Sequence, residues 1–230
     1  AHGDLFMLSG IMMIYLAASF PTMPLWVTIL IMIALTVFVG FAIEKCAYSP
    51  LRTAPRMSVM ISAIGVSYLL QNLVCYITGG LAKQFPDIPL ISQSVKILGV
   101  KDKLAVFVSP LVAVVLMVVL VLIINHTKFG MSMRAVSKDF ETAQLMGVKI
   151  NRVISMTFII GSFLAAVGAL LYFAKNTGIN HMAGSTPGIK AFIAAVVGGI
   201  GSVPGAVVGA LIIGVVESLA KAFGLADFSD

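Results

Sequence analysis

The sequence describes an all-α protein, a polytopic bundle of transmembrane helices. Hydrophobic residues fill 60% of its 230 positions, and only 10% are charged, against about a quarter in soluble domains. The apolar residues also come in long uncharged runs rather than in the alternating patterns that bury one water-solvated core. Such a surface needs a bilayer as its main solvent, and residues 1–230 form one membrane domain.

The formal charge of +6 points to topology rather than to nucleic acid. The basic residues collect in the connections between apolar runs, as the positive-inside rule requires. Cys46 and Cys75 are the two cysteines, too few and too far apart for a metal-ligand spacing or a secretory disulfide framework. Ala1-His2-Gly3-Asp4 carries no basic n-region of a signal peptide. The opening and the ending Ala226-Asp227-Phe228-Ser229-Asp230 suggest a piece of a longer chain, with further membrane segments expected on both sides.

The first run, Leu5 to Phe20, has 16 residues, about 24 Å as a helix against a hydrocarbon core of about 30 Å. It is either half of a broken helix or a short helix tucked beside others. After Pro21-Thr22-Met23-Pro24, Leu25 to Ile43 is long enough to cross and shows no polar face, so it is expected to meet lipid. Glu44 to Arg56, with Lys45, Arg52 and two prolines, is a cytoplasmic loop. Met57 to Ile77 crosses outward, and the stretch from Gly79 to Lys103, with Pro86, Asp87 and Pro89, lies outside. Leu104 to Ile124 returns.

A second basic connection, Asn125 to Arg152, carries Lys128, Arg134, Lys138 and Lys149, and agrees with the first in placing this side in the cytoplasm. Val153 to Ala174 then crosses, with Gly161, Ala165 and Ala169 at the four-residue spacing that lets membrane helices pack closely. The final apolar stretch, Ala191 to Val216, is interrupted by Gly198-Gly199-Ile200-Gly201-Ser202-Val203-Pro204-Gly205. Glycine costs a helix about 1 kcal/mol per residue and proline more, so a broken or re-entrant element is expected here. Irregular backbone at membrane depth survives only against protein or a water-filled cavity. The cluster, with Gly199, Gly201 and Pro204, either lines a translocation route or forms a packing notch for another helix. Gly205-Gly209 and Ala206-Ala210-Gly214 repeat the small-residue spacing.

Polar residues inside Met57 to Ile77 include Ser58, Ser62, Ser67, Gln71 and Asn72. Of these, Ser58, Ser62 and Asn72 can share a face with Gly65. They should turn toward the bundle, where Ser62, Ser67, Gln71 and Asn72 either touch a passing zwitterion or bond other helices. No acidic or basic residue is expected deep in a run, which argues against a proton relay. His2, His126 and His181 stand far apart and suggest neither a metal site nor an acid-base pair. The chain has no Gly-x-x-x-x-Gly-Lys-Ser/Thr string, so ATP binding by this chain is not expected. No catalytic residue, metal or cofactor is assigned.

Within the second basic connection, Ala135 to Val148 reads AVSKDFETAQLMGV. It is too polar to span and yet amphipathic, with Val136, Phe140, Ala143 and Gly147 on one face. A short helix over residues 135–147 follows, capped by Ser137 or Asp139 and ended by Gly147 in the left-handed conformation. On periodicity alone it could simply lie at the membrane surface.

Glu141-Thr142-Ala143 followed after three residues by Gly147 resembles the Glu-Ala-Ala-x-x-x-Gly loop of ABC importer permeases. Arg134-Ala135-Val136 before it, Ile150-Asn151-Arg152-Val153-Ile154 after it, Gly188 to Phe192 with the following GGIGSVPGAVVGALIIGVVE, and the opening Ala-His-Gly-Asp resemble the branched-chain amino acid permeases among them. The resemblance covers nearly the whole chain. Thr142 replaces the loop's middle alanine, and the family's first and last membrane segments appear in no part of the sequence.

The resemblance implies the ABC importer permease fold and residues 135–147 as a coupling helix. Arg134, Phe140, Glu141, Thr142, Ala143 and Gly147 then make the contact with the ATPase, whereas Glu141 on a helix in solution would simply be a solvated charge. It also implies a plasma (inner) membrane location in a bacterium or archaeon. The expected partners are a second permease subunit, two cytoplasmic ATP-binding subunits, an extracytoplasmic solute-binding protein and the lipid bilayer. The expected function is passage of branched-chain or related small amino acids without covalent chemistry. The alternative is an ion-coupled secondary transporter of a small polar solute, which the broken helix permits but the lack of buried charge and of an internal repeat disfavours.

Overall fold

The computed structural model describes residues 2–51, 54–86, 94–97, 100–199 and 201–223. Arg52, Asp87, Pro89, Ile200 and the ending 226–230 lie outside the described residues. The described chain is helical apart from two short antiparallel strand pairs, and six of its helices are long and apolar enough to cross a membrane.

Helix α1 (His2–Ser19) is the centre of the bundle. Leu5, Met7, Leu8, Ile11 and Met13 are buried on it, so the short first run is tucked beside other helices. Phe20 to Pro24 turns the chain into α2 (Leu25–Ile43). Here the expectation of a helix without a polar face fails. Thr28, Met32, Thr36 and Gly40, spaced four apart, are buried on one stripe, while Trp26, Leu30 and Phe38 are exposed on the other. The hydroxyl of Thr36 donates to the Met32 carbonyl oxygen at 2.8 Å, within its own helix, which is how a hydroxyl avoids the cost of burial without a partner.

The supposed loop starting at Glu44 is also revised. The helix runs on as a π-helical turn over Glu44–Tyr48 and a 3-10 turn over Ser49–Leu51. Helix α3 (Arg56–Thr78) follows and ends at Gly79 in the left-handed conformation. Strand β1 (Lys83–Gln84) comes next, then the hairpin of β2 (Ser94–Ile97) and β3 (Val100–Lys103), and α4 (Leu104–His126).

The second basic connection holds two helices, not one over 135–147. Helix α5 (Lys128–Lys138) starts at Thr127, whose hydroxyl accepts from the Gly130 amide at 3.0 Å, and α6 (Phe140–Leu145) follows an extended break at Asp139. Helix α7 (Ile150–Lys175) returns through the bundle against α1 and α2. It is buried as its small residues suggested, but along Ser155, Ser162, Ala166, Ala169 and Phe173. Gly161 faces the His2 ring instead.

Strand β4 (Gly178–Ile179) pairs with β1, which joins the two connections expected outside. The Glu44 carboxyl group accepts from the Ser155 hydroxyl at 2.7 Å and joins the start of the first basic connection to the early part of α7 at the other end. Helix α8 (Ser185–Val197) then leads to the glycine break, and α9 (Val203–Ala222) folds back along it. Gly199 and Gly201 have φ of +92° and +99°, a region that residues with a Cβ rarely enter. The break is therefore where the sequence places it. Ser202 caps α9 by accepting from the Gly205 amide at 3.1 Å, and Pro204 falls in the first turn, where its missing N–H costs no hydrogen bond. Gly205 and Gly209 lie against α8, as their spacing suggests.

Candidate functional site

Several of the candidates gather in two groups, one at the basic end and one where α1, α3 and α8 meet. At the basic end, Asp139 supplies the cap expected from either Ser137 or Asp139. Its Oδ1 accepts from the amides of Glu141 at 3.0 Å and Thr142 at 3.1 Å, and the Thr142 hydroxyl donates to Oδ2. The bond from the Thr142 side chain, followed by that from its amide, holds the Asp139 carboxyl group below its ordinary pKa. Ser137 instead donates to the Arg134 carbonyl oxygen at 2.9 Å. Thr142, the departure from the family motif, thus reinforces the cap.

Gly147 ends this segment with φ of +83°, and its amide donates to the Gln144 carbonyl oxygen at 3.0 Å. Of the amphipathic face expected there, Ala143 is buried while Phe140 is 44% exposed. Leu145 and Met146 stand out further, at 87% and 80% exposure, and sequence reading did not single them out. A groove of about 510 Å³ at this end is lined by Phe140, Gln144, Val148, Lys149, Asn151 and Arg152 among others. Arg134 is directed elsewhere, donating to the Ile124 carbonyl oxygen at 3.0 Å and to the Asn125 side chain at 2.9 Å. It ties α5 to the end of α4.

The translocation-path candidates on α3 separate into three places. Ser67 and Gln71, four apart on α3, converge on the buried Asp4 carboxyl group of α1. Ser67 Oγ donates to it at 2.6 Å and Gln71 Nε2 at 2.8 Å, and Gln71 also reaches Ser185 Oγ of α8 at 3.4 Å. Ser67 lies midway along the 23-residue α3. Ser62 instead donates to the Ala47 carbonyl oxygen of the π-helical turn at 3.4 Å. Asn72 and Gly65 are exposed on the far face of α3, where Asn72 donates to the Tyr68 carbonyl oxygen at 2.8 Å.

Gly201 and Pro204 border a cavity with Asn125 and Arg134, so the glycine break sits toward the basic end, away from Asp4. Gly199, beside them in sequence, leaves open space where a side chain would start.

Asp4 and Glu44 stand at the edges of their apolar runs rather than deep in one, yet both are buried, 5% and 0% exposed. Each is held by side chains distant in sequence, such as Ser67 for Asp4 and Ser155 for Glu44. Lys190 of α8 likewise pairs with Glu217 of α9 at 3.1 Å. Only the resemblance of Ala-His-Gly-Asp pointed toward Asp4. No periodic pattern did, because the residue lies at the edge of the first run.

A bundle of membrane-length helices, with a polar cluster where α1, α3 and α8 meet and a capped helix exposed at one end, is that of a multi-pass membrane protein. The sequence pattern described as "Branched-chain amino acid transport system / permease component" matches residues 1–229, and the chain belongs to that family. The high-affinity branched-chain amino acid transport system permease protein LivH of Salmonella typhimurium is 33% identical over 100% of this chain and 78% of its own length. BraD of Pseudomonas aeruginosa, described in the same words, is 35% identical over 100% of this chain and 77% of its own. The fructose import permease protein FruG of Bifidobacterium longum is more distant, 25% identical over 74% of this chain and 53% of its own. No solved structure matches the chain.

Proposed function

We propose that the chain is the passage-forming subunit of an ATP-driven importer of branched-chain or related small amino acids. It works in a bacterial or archaeal plasma membrane with a second permease subunit, two cytoplasmic ATP-binding subunits and an extracytoplasmic solute-binding protein. It performs no covalent chemistry, and ATP hydrolysis belongs to the partners.

The observation that carries this reading is the α6 segment, a helix of six residues with its own cap, with Phe140 at the groove and Leu145 and Met146 exposed at its end. Apolar side chains gathered at the polar end of a membrane protein suit a protein partner better than water. Lys149 and Arg152 at the groove add charge that an acidic partner surface complements. Glu141 gives a basic group of the ATPase a partner.

Covalent connections make the segment a handle. Gly147 turns α6 into α7, whose Ile150 is already buried, and Arg134 ties α5 to α4. A nucleotide-driven shift of the socket around α6 would therefore move both spans. Because α7 packs on α1, the movement would reach the helix that carries Asp4.

The test is uptake of radiolabelled leucine by proteoliposomes containing the chain and these partners, with native protein compared with Glu141→Arg and Gly147→Trp. ATP-dependent uptake that both substitutions abolish, in subunits that still insert, is the expected result. Uptake without any ATPase, or normal uptake by both variants, would overturn the reading and favour an ion-coupled secondary transporter.

A further inference from the structure

A groove of about 310 Å³ runs between α2, α4 and α7, lined by Val37, Leu116, Leu120, Ile123, Ile160 and Phe163 among others. Every lining residue is aliphatic or aromatic, so the groove offers nothing to orient a polar solute. Its place along the helices is that of one lipid leaflet. Ile123 lies three residues before the end of α4 and Leu116 ten, while Phe163 lies 13 residues into α7. At 1.5 Å per residue the groove reaches from about 5 Å to about 20 Å above the basic end, against about 15 Å for half of the hydrocarbon core.

The basic end lies just below it. On α7, Arg152, Met156, Ile160 and Phe163 recur every three to four residues and so share a face, which places Arg152 about 12 Å from Ile160 along the helix. Arg152 and Met156 are exposed, and Arg152 also borders the groove beside α6. Helix α5 packs against both α4 and α7. Its Phe129, Met133 and Val136 are partly buried and its Lys128, Arg134 and Lys138 exposed, the division of a helix that lies in the headgroup layer. Residues 125–152 hold five basic side chains and two acidic ones, and Asp139, one of the two, is engaged in the α6 cap.

An apolar trough in a membrane gains little from hydrocarbon alone, because lipid tails are as apolar as its walls. Selectivity has to come from the headgroup, and basic residues beside a gap between spans on the cytoplasmic side favour anionic headgroups. A further helix, about 10 Å across, fills roughly 800 Å³ over a 10 Å length, far more than the groove holds. A single acyl chain enters it.

We propose that the groove and the basic residues below it bind one anionic phospholipid from the leaflet at the basic end, with an acyl chain between α4 and α7 and the headgroup phosphate at Lys128 and Arg152. The lipid fastens α4 to α7 where α5 and α6 connect them, whatever solute the passage carries.

The test reads tryptophan fluorescence of the chain in phosphatidylcholine bilayers as a dibrominated lipid, which quenches on contact, replaces part of the bilayer. Trp26 is the single tryptophan, exposed on α2 and 11 residues from Val37 toward the opposite end, so the native chain is the control. Trp26→Phe with Phe163→Trp makes the reporter. Half-quenching of the reporter should need at least about tenfold less dibrominated phosphatidylglycerol than dibrominated phosphatidylcholine, since each basic group favours an anionic lipid about fivefold and two are engaged. Native Trp26 should show no preference. Lys128→Gln with Arg152→Gln should abolish the preference at the reporter, as should about 1 M salt, which shortens the screening length to about 3 Å.

Equal half-quenching of the reporter by the two lipids would overturn the site and leave ordinary bilayer lipid in the groove. Protection from both lipids would overturn it in favour of protein, a second copy or another segment, lying over the groove. A preference that survives both the substitutions and the salt would remove Lys128 and Arg152 from the headgroup and overturn the assignment equally. Leu120→Trp, across the groove on α4, replaces the reporter if Phe163→Trp fails to insert, and the salt series with native Lys128 and Arg152 decides if the double substitution does.

Discussion

Gly40 of α2 faces Ser162 of α7 so closely that a Cβ at position 40 would overlap the serine hydroxyl and lie 2.7 Å from its Cβ. Both residues are buried, and Ser162 donates to the Phe158 carbonyl oxygen of its own helix at 2.7 Å. Close approach of two backbones increases dispersion contact, which drives helix association in lipid. Gly40→Ala should therefore destabilise the protein by about 1–3 kcal/mol, the usual cost of overpacking. Ser162→Gly in the same chain should recover most of that loss. Unfolding midpoints in detergent for the two single variants and the double variant measure the coupling.

The contact between α8 and α9 gives a paired comparison. A Cβ at Gly209 would strike the Ala194 carbonyl oxygen and lie 3.0 Å from the Gly198 amide nitrogen, whereas one at Gly214 would meet nothing within 4 Å. Gly209→Leu should force the two helices apart, cost about 1–3 kcal/mol, and speed proteolysis at residues 198–202. Gly214→Leu should stay within about 0.5 kcal/mol of native, as substitutions without close neighbours usually do. Equal effects of the two substitutions on thermal unfolding in detergent would contradict this packing.

Long apolar runs fixed the spans because hydropathy over some twenty residues is a local property, and the glycine break was legible for the same reason. Burial of Asp4 and Glu44 was not legible, since it depends on partners such as Ser67, 63 residues from Asp4, and Ser155, 111 residues from Glu44. Helix α2 did carry a signal. Thr28, Met32, Thr36 and Gly40 recur every four residues, but a mean hydropathy conceals a narrow stripe. Around Asp139, either Ser137 or Asp139 could cap a helix. Asp139 does so because the preceding residues already belong to α5, which Thr127 starts. Gly147 was legible from its place after the amphipathic pattern, whereas the exposure of Leu145 and Met146 depends on how α6 turns relative to α7.

The cap at α6 makes a pH prediction. Since the bond from Thr142 lowers the Asp139 pKa, the stabilising effect is present above the ordinary aspartate value and is lost only as pH falls through the lowered one. Amide exchange at Glu141 and Thr142, corrected for intrinsic rates, should stay slow as pH drops through the usual aspartate range near 4, and quicken below it. Asp139→Ala should accelerate exchange at both amides several-fold at neutral pH. Asp139→Asn should retain part of the protection, because asparagine also caps, and remove the pH dependence. Native exchange that quickens at or above the ordinary aspartate value would contradict the cap described.

Glu44 lies fully buried where α2 passes into its π-helical turn, and it joins Ser155, five residues into α7. The link fastens α7 to α2 just beyond the α6 segment. Ser155→Ala deletes the donor and should cost about 1–3 kcal/mol, the range for an acceptor left short of a partner in a buried site. Glu44→Ala should cost more, because it leaves the Ser155 hydroxyl buried without this acceptor and also opens a cavity. Glu44→Gln keeps an acceptor oxygen of similar shape and should cost the least of the three. Thermal unfolding in detergent gives the order, and a Glu44→Gln chain less stable than Glu44→Ala would show that something other than the bond to Ser155 holds this residue in place.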